Sequence, residues 1–492
     1  MRAADWIVAA IYLAGVVAAG TWLGRRQTGA SDYFLGRHRL PWWAILLSIV
    51  AAETSAITVI SVPGIGYAGD LTFLQLAFGY LVGRIGVAWL LLPAYARGEL
   101  QTAYQVLGVR WGSRARRTSS AVFMVTRAMA DSVRLFATAI PLAVITGWSY
   151  PAAIIALGAA TLLYSYVGGL RSVVWMDVVQ LAVYLLAGAA ALYAAIAIAP
   201  GGLLNALDAG KLRVIDARAS LTAPYTLLTA VVGGAMLSAA SHGTDHLIVQ
   251  RLLATRSLKD ARLALIGSGV VVIVQFAMFL LVGAAMWSAF PAGRGMRSDE
   301  IFPRFITMHL GGGLAGLAVA GLLAAAMSTH ASAINALASA TTHDYYAPIA
   351  GRVGDDRHLL GAGRMFSLLW GTILVLGALL FRERDAPVVV VALSVASLTY
   401  GALLGAFVLA RFARVREPDV VVALVAGSLV MAVVVFAGPL APLAGGARWL
   451  AWLSQLAWPW YVPLGTALTV AIGLGSSTVG GRRPPAGGHA SA

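Results

Sequence analysis

Apolar runs about twenty residues long recur from one end of the chain to the other, separated by short loops that carry most of the charge. At a rise of about 1.5 Å per residue, a helix of that length crosses the roughly 30 Å hydrocarbon core of a bilayer. The pattern predicts thirteen spans, near 5–23, 43–66, 71–95, 118–145, 150–167, 173–198, 224–247, 262–290, 314–342, 361–381, 387–411, 419–437 and 452–475. The expected fold class is therefore an all-α polytopic membrane protein. Two loops carry helical patterns of their own, Gly98–Arg117 at the cytoplasmic interface and Met296–Leu310 on the other side. The stretch from Ser476 onward, residues 476–492, is rich in Gly, Pro, Ser and Arg and reads as a disordered cytoplasmic tail.

One span departs from the pattern. Trp43–Gly66, WAILLSIVAAETSAITVISVPGIG, sets Glu53, Thr54, Ser55 and Thr58 in the middle of an otherwise apolar run. A carboxylate at the bilayer centre costs roughly 3 kcal/mol on insertion scales, so an intramembrane Glu points to function. Ser and Thr side chains also compete for backbone hydrogen bonds, which favours an unwound segment with carbonyls free for a cation. The seventh span carries Gly233-Gly234 at a similar depth, then Ser238, Ser241 and His242. Paired interruptions five spans apart point to an inverted-repeat transporter with its site at the midplane. The competing reading of the glycines is close packing of small residues.

Composition agrees with a membrane chain: 60% hydrophobic and 11% charged, where a soluble globule carries about 25% charged. The net charge of +15 does not indicate nucleic acid, because the basic residues sit in short inter-span loops. Loops after odd-numbered spans, with the tail and flanking Arg, hold about 22 of the 35 Lys and Arg, which puts the N-terminus outside and the C-terminus in the cytoplasm. Asp5–Gly24 reads as a first span and not as a cleaved signal. There is no Cys, hence no disulfide framework and no thiolate metal site.

Polar residues inside spans supply the candidate chemistry. Arg127, Asp131 and Arg134 fall on one helix face. Arg127 and Asp131 neutralise each other, which leaves Arg134 as a spare cation for a carboxylate, either that of Glu53 or that of a substrate. Asp177 is either an ion ligand or an interfacial acid near a helix N-terminus. Ser328, Thr329 and Ser332 place hydroxyls on adjacent turns of the ninth span, and hard oxygens of this kind suit Na⁺. His330 is either a proton acceptor or a hydrogen-bonded packing residue. In the third span Gln75 is placed to face the site, and Arg84 reads as a packing or pairing residue.

Five segments in order, SDYFLGRHRLPWWAI, ETSAITVISVPG, YVGGLRSVVWMDVVQ, GTDHLIVQRLLATRS and AAAMSTHASAINALASATTHDYY, resemble the sodium:solute symporter family over about residues 5–475. The resemblance implies a five-plus-five inverted repeat of the leucine-transporter type, about 43–198 and 224–411. It implies a sodium site from the carbonyls of Ala51, Thr54 and Ala325 and the hydroxyls of Ser328 and Thr329. In relatives with a second cation, Asp177 and Ser332 match its ligands, but Ala331 stands where another Ser is expected. Sialic-acid-type relatives imply Ser55, Thr58, Gln75 and Arg134 around the substrate, and Glu53, a further candidate there, is not explained by the resemblance.

The sequence therefore reads as a sodium-coupled secondary symporter of the cell membrane, importing a small carboxylate-bearing solute by alternating access. Its partners are that solute, Na⁺ and the bilayer, with no nucleic acid and no organic cofactor. A monomer suffices for this mechanism. The rival readings are a proton-coupled carrier of a neutral sugar or amino acid, titrating Glu53, Asp177 or His330, and a transporter-like sensor. No nucleophile, base and orienting group occur together, so an enzyme is not expected.

Overall fold

In a computed structural model, residues 2–479 are described apart from 26, 97, 99, 200, 202, 382–387 and 444–446. Helices account for most of the described backbone, and no strand occurs among the described residues. The helices that build the body are α1 (Ala3–Leu23), α2 (Trp42–Glu53), α3 (Ala56–Ala68), α4 (Leu74–Leu90), α5 (Gln105–Trp111) and α6 (Ser113–Thr146). They continue as α7 (Tyr150–Ile198), α8 (Leu227–Gly243), α9 (His246–Leu253), α10 (Leu258–Ala289), α11 (Ser298–His309) and α12 (Leu314–Ala340). The last four are α13 (Asp356–Leu380), α14 (Val388–Leu409), α15 (Glu417–Val435) and α16 (Tyr461–Val479).

Among the described residues, six helices are long and apolar enough to cross a membrane, seven with the bent pair α2 and α3. Burial sorts them. The most apolar stretch of Leu314–Ile349 is 94% buried and that of Ala3–Leu23 only 17%, so α12 is central and α1 peripheral. Large apolar side chains such as Trp22, Leu90, Val274 and Leu429 are exposed on the outside, as a lipid-facing surface requires. Inside, α12 lies along α7 and α8 along α4, with α10 against α3.

The 49-residue α7 would run about 74 Å if straight, more than twice the bilayer core. It is broken at Gly169, whose φ of 55° and ψ of −165° belong to a region open essentially to glycine alone. A Cβ there would also strike the carbonyl and ring of Tyr33. Gly169→Ala is expected to lower stability by about 1–3 kcal/mol. Gly15→Ala, with open space around it, should not. Thermal unfolding in detergent reads both.

Three expectations shift. The last span starts at Tyr461, after a short helix over Arg448–Leu453, because Pro459 and the 3₁₀ turn Trp458–Trp460 separate the two. Residues 476–479 of the expected tail are helical, and 480–492 lie outside the described residues. The seventh span does not break at Gly233-Gly234. Those glycines sit inside α8, where a Cβ on Gly233 would meet Pro459 and one on Gly234 the carbonyl of Leu76. They serve close packing.

Candidate functional site

The chain bends by 67° between α2 and α3. Thr54 (ψ 95°) and Ser55 (ψ 166°) are extended, and both are buried in protein, where broken backbone is tolerated at membrane depth. The last backbone bond of α2 is Thr54 N–H to Val50 O, at 3.0 Å. Carbonyls beyond it have no intrahelical partner. The Thr54 hydroxyl accepts from Gln275 of α10 at 2.8 Å, fixing the turn.

A second break separates α8 from α9 at Thr244-Asp245. Asp245 caps α9 by accepting the Leu247 N–H at 2.9 Å, which gives the chain a reason to restart the helix there. The other carboxylate oxygen of Asp245 accepts from Arg127 at 3.1 Å and from the Tyr400 hydroxyl at 2.7 Å. The break is thereby tied to α6 and α14.

Between the two breaks lies a cavity of about 100 Å³ whose wall includes Glu53, Ser55, Thr58, Arg127, Arg134, Ser241, His242, Asp245 and Tyr400. Phe73, Tyr80 and Phe276 line its apolar side. Of the expected substrate residues, Glu53, Ser55, Thr58 and Arg134 meet here, and Gln75 does not. Gln75 is buried, donating to the carbonyls of Thr72 (3.3 Å) and Tyr225 (2.8 Å) and accepting from Asp216 N–H at 3.3 Å. It pins the segment before α8, where the Arg218 guanidinium holds the Asp216 carboxyl down at about 2. The approximate register of the third span explains the error: the aromatic rings of Phe73 and Tyr80 take the wall positions.

Two charge assignments also change. Arg134 is not a spare cation: Arg127 donates to both oxygens of Asp131 and also to Asp245, and Oδ1 of Asp131 accepts in addition from Arg134 at 3.2 Å. Glu53 pairs with Arg84, not with Arg134. Arg84 is fully buried and also donates to Ser268 at 2.7 Å. Glu53, Asp131 and Asp245 thus balance Arg84, Arg127 and Arg134 around the cavity. The cavity wall carries no net charge from these six groups.

A narrower gap of about 10 Å³, room for about one water, adjoins this cavity at Ser55 and Arg134 and reaches Thr329 and His330. Both ring nitrogens of His330 are buried and have no protein hydrogen-bond partner among the described residues. The Thr329 hydroxyl lies 3.1 Å from the Ala325 carbonyl and 3.5 Å from that of Ala52. Ala325, Thr329 and the end of α2 therefore converge, with Ala52 and not Ala51 nearest the hydroxyl. Ser328 points to Asp177, donating at 2.6 Å.

Sequence reasoning missed Arg251, counted there as a loop charge. It is fully buried in α9 and donates to Asp177 (3.0 Å), Ser48 (2.8 Å), the Leu247 carbonyl (2.8 Å) and Ser332. Asp177 and Ser332, the expected second cation ligands, are held by this guanidinium. Tyr400 and Asp245 were missed as well. The Thr-Asp pair before an apolar stretch is a capping signal that could have found Asp245.

The profile of the sodium:solute symporter family matches residues 33–437. The chain belongs to that family. It is 28% identical over 445 residues to the human sodium/iodide cotransporter, covering 86% of this chain and 68% of that one. It is 25% identical to a sodium/sialic acid symporter of Proteus mirabilis (82% and 83% covered). To human sodium-coupled monocarboxylate transporter 1 it is 27% identical (82% and 68%). A solved substrate-bound, outward-open Na⁺-coupled sialic acid symporter superposes with a TM-score of 0.85 at 23% identity, covering 97% of this chain and 98% of that one. That likeness establishes the fold. This symporter is thus a multi-pass membrane transporter with Na⁺ as its coupling ion, and the relatives named are transporters, not enzymes.

Proposed function

We propose that this symporter imports a small carboxylate with one Na⁺ by alternating access. The reading takes residues 1–475 as thirteen spans with the N-terminus outside and the C-terminus cytoplasmic, the repeats being about 43–198 and 224–411. The matching breaks of α2–α3 and α8–α9, and the kink that divides α7, support this arrangement.

The observation that carries the substrate class is the gap bounded together by Ser55, Arg134 and Thr329. Sodium held by Thr329, Ser328 and the carbonyls of Ala325, Ala51 and Thr54 would sit next to the Arg134 guanidinium. Like charges about 6 Å apart at an effective dielectric of about 20 repel by roughly 3 kcal/mol. A substrate carboxylate on Arg134 removes that repulsion. The empty wall is balanced, so Na⁺ alone adds one positive charge, an anion alone one negative charge, and both together none. Burial of net charge is costly, hence each ligand favours the other. Iodide and monocarboxylates, named for two relatives, are likewise anions. One Na⁺ per cycle follows from Ala331, which offers no hydroxyl, and from the guanidinium already on Asp177.

Equilibrium binding of short carboxylates to the purified protein tests this. Affinity should rise at least tenfold from KCl to NaCl, with a slope of one in Na⁺, and carboxylate should raise Na⁺ affinity by the same factor. Carboxylate binding of equal strength in both salts contradicts the proposal.

A further inference from the structure

The cavity wall holds polar groups that the carboxylate reading does not use, His242 among them. His242 is 1% exposed and its Nε2 has no hydrogen-bond partner. That nitrogen lies 3.6 Å from Oε2 of Glu53, beyond a direct hydrogen bond, and both residues line the cavity. Nδ1 is engaged with the Ser241 hydroxyl at 2.8 Å, which in turn lies 3.4 Å from the Ser238 carbonyl. If Nδ1 carries the proton, Nε2 and the carboxylate are two acceptors side by side, and a donor is wanted between them. In the other tautomer an Nε2–H faces the site and wants an acceptor.

We propose that His242 and Glu53 form a receptor for a hydroxyl on the substrate, so that the preferred solute is a short hydroxycarboxylate. The inference rests on the carboxylate reading above and extends it to other polar groups of the same cavity wall. A hydroxyl both donates and accepts, so it satisfies Glu53 and His242 in either tautomer; an ammonium only donates. Charge argues the same way. Arg84 already neutralises Glu53, so an ammonium would bury an uncompensated charge once Na⁺ and a carboxylate are bound, whereas a hydroxyl adds none. Size limits the chain. The cavity is about 100 Å³, smaller than an engineered cavity of about 150 Å³ that holds benzene, so the solute is small.

The test compares pairs that differ by one hydroxyl: lactate against propionate, and 3-hydroxybutyrate against butyrate. Binding to the purified full chain in NaCl is measured by calorimetry for wild type, His242→Leu, His242→Gln and Arg134→Gln. Sites built to hydrogen-bond a hydroxyl reject analogues lacking it strongly. Wild type should therefore favour the hydroxylated member of each pair at least tenfold. His242→Leu should bring each ratio within twofold. His242→Gln, which keeps a donor and an acceptor, should give an intermediate ratio and preserves the test if the Leu variant does not fold. Arg134→Gln should weaken all four ligands. Equal binding within pairs by wild type, with Na⁺ dependence intact, overturns this inference alone, as does a preference that survives in His242→Leu. Failure of all four to bind wild type in NaCl overturns the carboxylate reading and this inference with it.

Discussion

Arg251→Leu is expected to lower stability by about 3–5 kcal/mol, and adding Asp177→Asn should return most of that loss. Both members of the pair are fully buried. Removing the guanidinium strands a carboxylate among α2, α7 and α12, with only the hydroxyls of Ser48 and Ser328 to solvate it. Removing the charge on Asp177 as well leaves neutral groups that still hydrogen-bond to those hydroxyls. The pair is therefore worth far less than the damage done by breaking it. Unfolding in detergent without Na⁺ isolates this effect from ion binding, and a double-mutant cycle gives the coupling. If Arg251→Leu costs under 1 kcal/mol, the guanidinium does not sit on Asp177, and the case for a single Na⁺ falls with it.

Arg134→Gln is expected to weaken carboxylate binding at least 100-fold, about 2.7 kcal/mol, with little change in the stability of the empty protein. Arg134 is 17% exposed and shares Asp131 with Arg127, so its loss leaves no carboxylate unpaired. Arg127→Gln should behave oppositely. Arg127 alone bridges Asp131 and Asp245, both 1% exposed, and its removal leaves too little positive charge for two buried acids. That variant should be poorly folded before binding is in question. Calorimetry for the first and thermal unfolding for the second separate the two roles. An Arg134→Gln protein with wild-type carboxylate affinity would move the anion site elsewhere in the cavity.

The family and the first helix break were legible because they rest on local contrast. Glu53, Thr54, Ser55 and Thr58 interrupt an apolar run, and nothing in a packed span calls for them. The second break was not legible in the same way. Gly233-Gly234 looked like the stronger breaker, yet a glycine pair inside a membrane helix reports close approach by a neighbour, here Leu76 and Pro459. The true break, Thr244-Asp245, lay near an expected span end and drew no notice. Arg251 failed for a related reason: positive-inside counting assigns every Arg near a span end to water, and α9 carries this one inward. The second partner of Arg127 is Asp245, which reaches α6 from a distant part of the chain. Pairings of that kind arise from packing between helices, and no spacing within one helix reveals them.

The central claim is that Na⁺ binds between the end of α2 and the middle of α12. Thermal stability of the purified protein in NaCl against matched KCl tests it most directly, with wild type beside Ser328→Ala plus Thr329→Ala. A ligand that binds only the folded state stabilises it by mass action, by about 2.7 kcal/mol at one hundred times its Kd. The account predicts a Na⁺-specific rise in melting temperature for wild type that the double variant lacks, the variant melting at one temperature in NaCl and in KCl, below wild type in both because Ser328 also donates to the buried Asp177. An equal Na⁺-specific rise in both proteins, or none in wild type, would contradict it.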